Sequence, residues 1–466
     1  MEGEWPSAWR LHLLVPLYKK GSRYDASNYR GIHLTTILSK VAERVICNPL
    51  MHFLRERCFG NAQWAFRHRA GARDLVTVKV ARWLLHVCQG RKVGVYLADI
   101  SGAFDKVCHE RLMAKLSALG VAPAFLEFLH SYLLPRRGQV AVEGALSEAL
   151  ALTNMVYQGT VLGPSLWNAF FQDIVTAVPD GNQVVDLFAD DLSVDAYCSC
   201  DVSNNTLLDD LRAAQHRAHA WGRDNRVTFD PGKEHFMVLH PEDGDDECFR
   251  FLGTFIDCHL TMTPCIDQIV AKIRPKTKAL LRTRGSYSVV SMLNQFRTHM
   301  WCHIEYSQGA LLLAIPSQLQ RFDHIQNQFL GHLGLTDTEA FVTYNFAPLS
   351  VRRAIGMLGF LHKRVLGLSH PGVNEMFPLL GQRAPWHDKQ LESYYNTIVS
   401  HARLYPRSIF HYVLIYNRLP QWLVDMKSVQ AFQKGLNAVA KSRAEAGQST
   451  WREAFQSCMD VVNTFH

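Results

Sequence analysis

Asp99, Asp190 and Asp191 are the residues whose types and spacing could do chemistry. Asp99 lies late in the apolar run VGVYLADI, and Asp190 and Asp191 stand side by side within VVDLFADDLSVDAY. Adjacent like charges repel, so a turn that forces two carboxylates together becomes favourable when a cation lies near. Converging carboxylates suit hard divalent cations, and Mg²⁺ takes such oxygens together with substrate phosphates. Two metal ions held this way stabilise both the attacking and the leaving oxygens of a phosphoryl transfer. An ordinary Asp-containing hairpin turn is the plainer alternative.

Particular elements must position these groups. The run Val93–Ile100 has the length and β-branched content of a buried strand, and Asp99 at its end can project from the sheet into a cleft. The segments flanking Asp190 and Asp191 read as two strands of a hairpin, with Phe188 and Leu192 as anchors. If that hairpin neighbours the first strand, Asp99 and Asp190 face one point. In LSKVAERVICNPLMHFLRER, Leu38, Val41, Val45 and Ile46 share one helical face, followed by Leu50, Phe53 and Leu54. HERLMAKLSALG reads as a helix closed by Gly120, and RGQVAVEG as more sheet. DVSNNTLLDDLRAAQHRAHAWGRDN reads as a long amphipathic helix with Leu207, Leu208, Leu211, Ala214 and Ala218 on one side. VTFDPGKEHFMVLHP looks like strand, turn and strand, and FRFLGTFID like a short strand pair. After Thr263 the pattern is mainly helical. The fold class is therefore α+β with a helical tail.

The 466 residues suffice for two to four domains or subdomains. With 48% hydrophobic and 20% charged residues, the composition is that of a folded globular protein. The net charge of +7 is compatible with a polyanionic partner. No run approaches the ~18 apolar residues that span a membrane. The N-terminal MEGEWPSAWR carries acids where a signal peptide carries basic charge, so a soluble intracellular protein is expected. The eleven cysteines form no CxxC pair, and reduced thiols mostly in the core are expected.

LADISGAFDKV and FADD resemble motifs A and C of reverse transcriptases, and YQGTVLGPSLWNAFF between them resembles motif B. LVPLYKKGSRYDASNYRGIHLTTILSKVAERVI resembles the fingers motif of the non-LTR, LINE-type retrotransposon enzymes, and QWAFRHRAGARDLV the next finger motif. DPGKEHFMV and FRFLGTFID resemble motifs D and E. The motifs follow in order over residues 13 to about 262. The resemblance implies a right-hand polymerase. Fingers would span 1–90 with part of 106–150, and a palm with motifs A to E would span 91–262. A helical thumb with following helices would span 263–370, and a helical C-terminal extension of unassigned role 371–466. It implies an RNA-directed DNA polymerase that extends a primer 3′-OH with dNTPs, using two Mg²⁺ ions, with Mn²⁺ able to substitute. RNA template, DNA primer and dNTPs are the implied partners, with no membrane, and nuclear action is the family's expectation. No endonuclease is seen ahead of the finger motif, so that activity is expected from a missing N-terminal region or another protein.

The resemblance assigns Asp99 and Asp190 as the main metal ligands and Asp191 as a lesser contributor. Asp105 is read as structural, capping the helix that follows. Phe104, five residues after Asp99, is a steric gate against a ribose 2′-OH. Gln158 and the permissive Gly159 resemble the pair that meets the nucleotide or template base. Pro164 precedes the following helix, with Ser165 as its cap. Lys19, Lys20 and Arg30 flank a polar loop able to close on a triphosphate, Arg as a planar fork and Lys as a point charge. Arg67, Arg69 and Arg73 are read as template-contacting or general electrostatic residues. Lys233 resembles the lysine proposed to protonate the leaving pyrophosphate, and Leu252 and Gly253 resemble the primer grip. In CIDQIVAKIRPKTKALLRTRG an apolar face opposes a basic face with Lys272, Lys276 and Lys278, as suits a helix on a duplex backbone, kinked or split at Pro275. Val351, Ile355, Leu358, Leu361 and Val365 fall in helical register downstream, with Ser350 as a cap. An RNA-dependent RNA polymerase or a group II intron maturase is a rival reading, as is an inactive RNA- or DNA-binding relic or fragment of a retroelement protein. Phe104 opposes the first, and retention of all three aspartates opposes the relic.

Overall fold

The computed structural model describes residues 4–153, 155–381 and 386–465. The chain forms two compact units, each assembled from separated segments. One comprises Met1–His68, Val95–Ala196 and Leu208–Phe236; the other comprises Arg69–Gly94, Tyr197–Leu207 and Met237–His466.

Strands β1 (Leu11–Tyr18) and β2 (Tyr29–Leu34) form an antiparallel hairpin in which Leu17 faces Arg30 and Tyr18 faces Tyr29. Its loop is the polar KKGSRYDAS stretch. Strand β3 (Arg91–Asp99) is buried from Lys92 to Ala98 and delivers Asp99 at its exit, as its unbroken apolar run requires. Strand β4 (Arg136–Val142) runs parallel to β1 and pairs with the short β5 (Ala145–Leu146) and β6 (Leu150–Leu152). Strands β7 (Val184–Phe188) and β8 (Asp191–Ser199) form the expected hairpin. With β9 (His235–Leu239) they complete a sheet of order β7-β8-β3-β9, so the strand of Asp99 lies next to the strand that begins at Asp191. Strands β10 (Cys248–Phe251) and β11 (Thr254–Asp257) pair across Leu252 and Gly253. From the helix Thr263–Arg282 onward the described chain is mainly helical. The α+β expectation holds.

Several local expectations give way to long-range partners. On the helix Ile37–Phe53 the face of Leu38 and Val45 is exposed, at 69% and 71%, while Ser39, Glu43, Cys47, Leu50 and Met51 are buried. Glu43 explains the inversion. Its Oε2 accepts hydrogen bonds from the Val161 and Leu162 N–H groups at 2.7 and 3.0 Å, at the start of the helix Gly163–Phe171. A carboxylate there satisfies orphan donors and is attracted by the positive end of the helix dipole. Ser165, expected to cap that helix, lies buried inside it instead. Asp105 likewise caps nothing downstream. It lies within the 3-10 turn Ala103–Lys106, and the next helix, His109–Ala118, starts after Cys108 without a side-chain cap. Ser350 sits inside the helix Leu349–Val365, where its hydroxyl donates to the Arg452 carbonyl. Helix Thr263–Arg282 runs through Pro275 unbroken. Pro275 and Ala271 are exposed there, so the carbonyl freed by the missing N–H can meet water. The first strand expected in VTFDPGKEHFMVLHP shrinks to a single bridge between Phe229 and Ile100. Of the ten cysteines whose side chains are described, five are buried, fewer than the core-thiol expectation.

Candidate active site

The turn between β7 and β8 consists of Ala189 and Asp190, with Phe188 paired to Asp191 across its base. Ala189 has φ +58°, a left-handed conformation that disfavours a Cβ. Side chains hold it there. Gln63, fully buried, accepts from the Ala189 N–H at 3.1 Å, and Trp167 Nε1 donates to the Ala189 carbonyl at 2.9 Å. The Gln63 oxygen also accepts from the Ala65 N–H at 2.9 Å. Strain clamped by independent partners fixes where Asp190 projects.

Burial and the Asp99 carboxylate beside it raise the Asp190 carboxyl well above the ordinary aspartate range. Burial, then Asp190 and Asp99, push Asp191 up to about 7, against the opposing pull of Lys233. Asp99 is bound by the Lys233 ammonium, which also lies 3.5 Å from Asp230. Asp230 aims the lysine. Its carboxylate accepts from the Gly232 N–H at 3.1 Å, its own N–H donates to the Asp99 carbonyl at 2.9 Å, and it opens the turn Pro231–Lys233. The Asp99 interaction is the largest cause raising the Lys233 pKa.

Among the described residues, no three His, Cys, Asp or Glu side chains form a ready set for a metal ion. Like charges crowded in a buried site do not gather on their own. The residues nevertheless fit a divalent cation. All donors are hard oxygens, Asp99 raises Asp190, Asp190 and Asp99 raise Asp191, and a cationic ammonium already lies on Asp99.

One cleft of about 500 Å³ in the first unit is lined by Asp99, Asp190 and Lys233 together with Lys19, Arg30, Phe104, Gln158 and Gly159. Lys20 is exposed and does not line it. The Phe104 ring stacks on Trp167 at 5.7 Å and meets Phe66 edge-on at 6.5 Å. Its backbone is tied down by the Val156 N–H, which donates to its carbonyl at 2.9 Å. Gly159 has φ +107°, and a Cβ there would lie 2.6 Å from the His33 carbonyl oxygen, so only glycine allows β2 this close. The His33 N–H donates to the Gln158 carbonyl at 2.9 Å, joining the loop to β2. Beneath the strand, His12 Nδ1 lies 3.1 Å from His33 Nδ1, and Arg136 lies 2.8 Å from His12 Nε2. Burial first, and then Arg136, hold His12 down to about 3 and His33 to about 4.

Asp105 also lines the cleft. Burial raises its carboxyl, while Lys19 and Arg30 oppose that rise. Its place beside two basic residues was not visible in the sequence, since their separation along the chain hides the contact. Gln63 and Trp167 were missed as turn clamps for the same reason.

Arg67 is half-buried and donates to the Phe59 carbonyl, an interaction with backbone. Arg69 and Arg73 are exposed and belong to the second unit. There the Leu252–Gly253 turn has φ of +44° and +86°, and Tyr306 Oη donates to the Leu252 carbonyl at 2.6 Å. Lys272, Lys276 and Lys278 lie on the exposed face of the helix Thr263–Arg282, opposite buried Ile266, Ile269 and Ile273.

Residues 17–256 match the family described as reverse transcriptase (RNA-dependent DNA polymerase). The RNA-directed DNA polymerase from mobile element jockey of Drosophila melanogaster is 27% identical over 358 residues, 71% of this chain and 38% of that protein. The probable RNA-directed DNA polymerase from transposon X-element of the same species is 26% identical over 347 residues, 70% of this chain and 37% of that protein. The chain thus spans under two-fifths of the length of these relatives. Among solved structures, apo telomerase from Candida Tropicalis is similar at 12% identity and a TM-score of 0.42, covering 79% of this chain and 64% of that one. No described helix is long and apolar enough to cross a membrane.

Proposed function

Because this chain belongs to the reverse transcriptase (RNA-dependent DNA polymerase) family, with non-LTR retrotransposon polymerases among its relatives, we propose that it extends a DNA primer on an RNA template with dNTPs. The observation that carries this reading is the single cleft that collects Asp99, Asp190, Lys233, Phe104, Arg30 and Gly159 from distant parts of the sequence. The right-hand fold goes with the family. The fingers, palm and thumb boundaries given above, and a two-Mg²⁺ centre, are part of this proposal.

Asp99 and Asp190 would hold the divalent cations, with Asp191 shaping their field. Bound cations supply activation of the 3′-hydroxyl and neutralise triphosphate charge. The chain's own residues do the rest. Arg30 and Lys19 draw the triphosphate into the cleft, and Arg30 can meet it with a planar fork. Phe104, braced by Trp167, fills the space that a ribose 2′-hydroxyl needs. Gln158 and Gly159 offer a close backbone surface to the nucleotide. Lys233, released from Asp99, would donate a proton to departing pyrophosphate. In the second unit, Leu252 and Gly253 would meet the primer end, and Lys272, Lys276, Lys278, Arg69 and Arg73 nucleic-acid phosphates.

Primer extension by the purified chain on an RNA template with Mg²⁺ tests the reading. Incorporation of dNTPs that Asp190→Ala abolishes is the expected result. A folded wild-type chain that binds template and extends nothing would instead support the relic reading.

A further inference from the structure

We propose that the second unit holds a trough for the phosphodiester backbone of a single-stranded polynucleotide, built on the polar face of the C-terminal helix Val429–Glu445. Two neighbouring cavities of about 660 and 610 Å³ meet at Arg73, Gln308, Gly356 and Gln433, which line both. The helix buries Phe432, Leu436, Ala440 and Ala444. Its opposite stripe, Gln430, Gln433, Lys434, Asn437 and Lys441, lines the trough at helical spacing. Along the trough that stripe presents amides and amines; the acid of the stripe, Glu445, lies at the end of the helix, 4.0 Å from Lys441.

The acids that do line the trough are neutralised. Glu305 pairs with Arg352 at 2.5 Å, and Asp74 with Lys363 at 2.8 Å. Among the described residues, Arg69, Arg73 and Lys434 have no carboxylate partner, which leaves the trough net positive. Its floor is kept low by glycine. A Cβ at Gly356 would lie 2.7 Å from the Gln308 amide, and one at Gly359 would collide with the Gln433 amide. Gln308 is fixed by donating to the Arg353 carbonyl at 2.8 Å. Phe360 and Tyr306 add aromatic rings to the first cavity. A positive groove with amide donors and aromatic faces suits a single strand, whose backbone it can follow and whose bases it can stack. The identification of that strand as template rests on the polymerase reading; the binding itself does not.

Fluorescence anisotropy of the full chain with labelled oligo-uridine RNA and oligo-thymidine DNA, over a salt series, tests the trough. Lys434→Glu with Lys441→Glu should weaken binding about tenfold or more. It should also flatten the log–log salt dependence by about 0.7 for each phosphate that is no longer neutralised. Gln433→Glu is a second, independent variant with the same expected direction. Asp190→Ala should lose primer extension yet retain oligonucleotide binding, so failure of the polymerase reading and failure of the trough give different patterns. RNA weakened more than DNA would identify RNA as the strand held, and equal weakening would show recognition of the backbone alone. Folded variants that bind both oligonucleotides as the wild type does, with the same salt slope, would overturn the proposal.

Discussion

Phe104 ties substrate choice to packing, because the ring that would exclude a 2′-hydroxyl is the one stacked on Trp167. Phe104→Ala should reduce dNTP-over-NTP discrimination in single-nucleotide incorporation by about tenfold or more, roughly 1.4 kcal/mol of differential transition-state stabilisation. Unchanged discrimination would remove Phe104 from that role. Lys233 makes a second prediction. If it donates the proton to pyrophosphate, Lys233→Met should slow the chemical step by roughly 10²- to 10⁴-fold in rapid-quench kinetics. Retained speed would leave the lysine as a counter-charge for Asp99 only. At this scale the sequence was informative about which residues meet, because Asp99, Phe104, Gln158, Gly159, Asp190 and Lys233, singled out by type and by neighbours along the chain, all line one cleft. Asp105 was misread because the Lys19 and Arg30 charges that face it are brought in by a hairpin.

At the scale of elements, the Asp190 turn depends on a conformation that Ala189 does not favour. Gln63→Ala would leave the Ala189 and Ala65 N–H groups without their side-chain acceptor. A cost of about 2 kcal/mol in urea unfolding is expected from unmet buried donors, with a matching loss of activity as the turn loosens. A variant as stable and as active as wild type would show that the hairpin holds its turn alone. The buried strand ending at Asp99 and the hairpin of Asp190 were legible from apolar runs and their punctuation. The exposed apolar face of Ile37–Phe53 was not, since periodicity reports a face without saying which side is buried. Glu43 decided the outcome through residues 161 and 162, and no local pattern encodes that contact. The strands β1 and β2 went unread because their alternation is broken by Pro16 and Gly31.

Over the whole molecule, the buried pair His12 and His33 makes stability depend on pH. Their folded-state pKa values, about 3 and 4, lie below the ordinary 6.5. Between those values the unfolded chain binds more protons than the folded one, so stability is full above about 6.5 and is lost as pH falls. The loss is at most about 1.4 kcal/mol per pH unit for each histidine. The raised Asp190 and Asp191 carboxyls gain stability as pH falls over the same range, so the histidine contribution is read as a difference: with His12→Gln and His33→Gln, urea midpoints should fall less, or rise more, than those of the wild type between pH 7 and pH 5. An equal slope in the variant would place the acid sensitivity elsewhere. The order of motifs revealed the reverse transcriptase family along the chain, but not the interleaving of segments into two units, because local signals carry no record of which distant segments pack together.

The central claim is that the Asp99–Asp190 cleft holds the divalent cations of a polymerase. Electron paramagnetic resonance titration of Mn²⁺ with a dNTP present reads that binding without requiring turnover. The wild-type chain should bind Mn²⁺ in a dNTP-dependent manner, and Asp99→Asn and Asp190→Asn should each abolish the binding while the protein stays folded. Equal Mn²⁺ binding by wild type and both variants would contradict the assignment of this cleft.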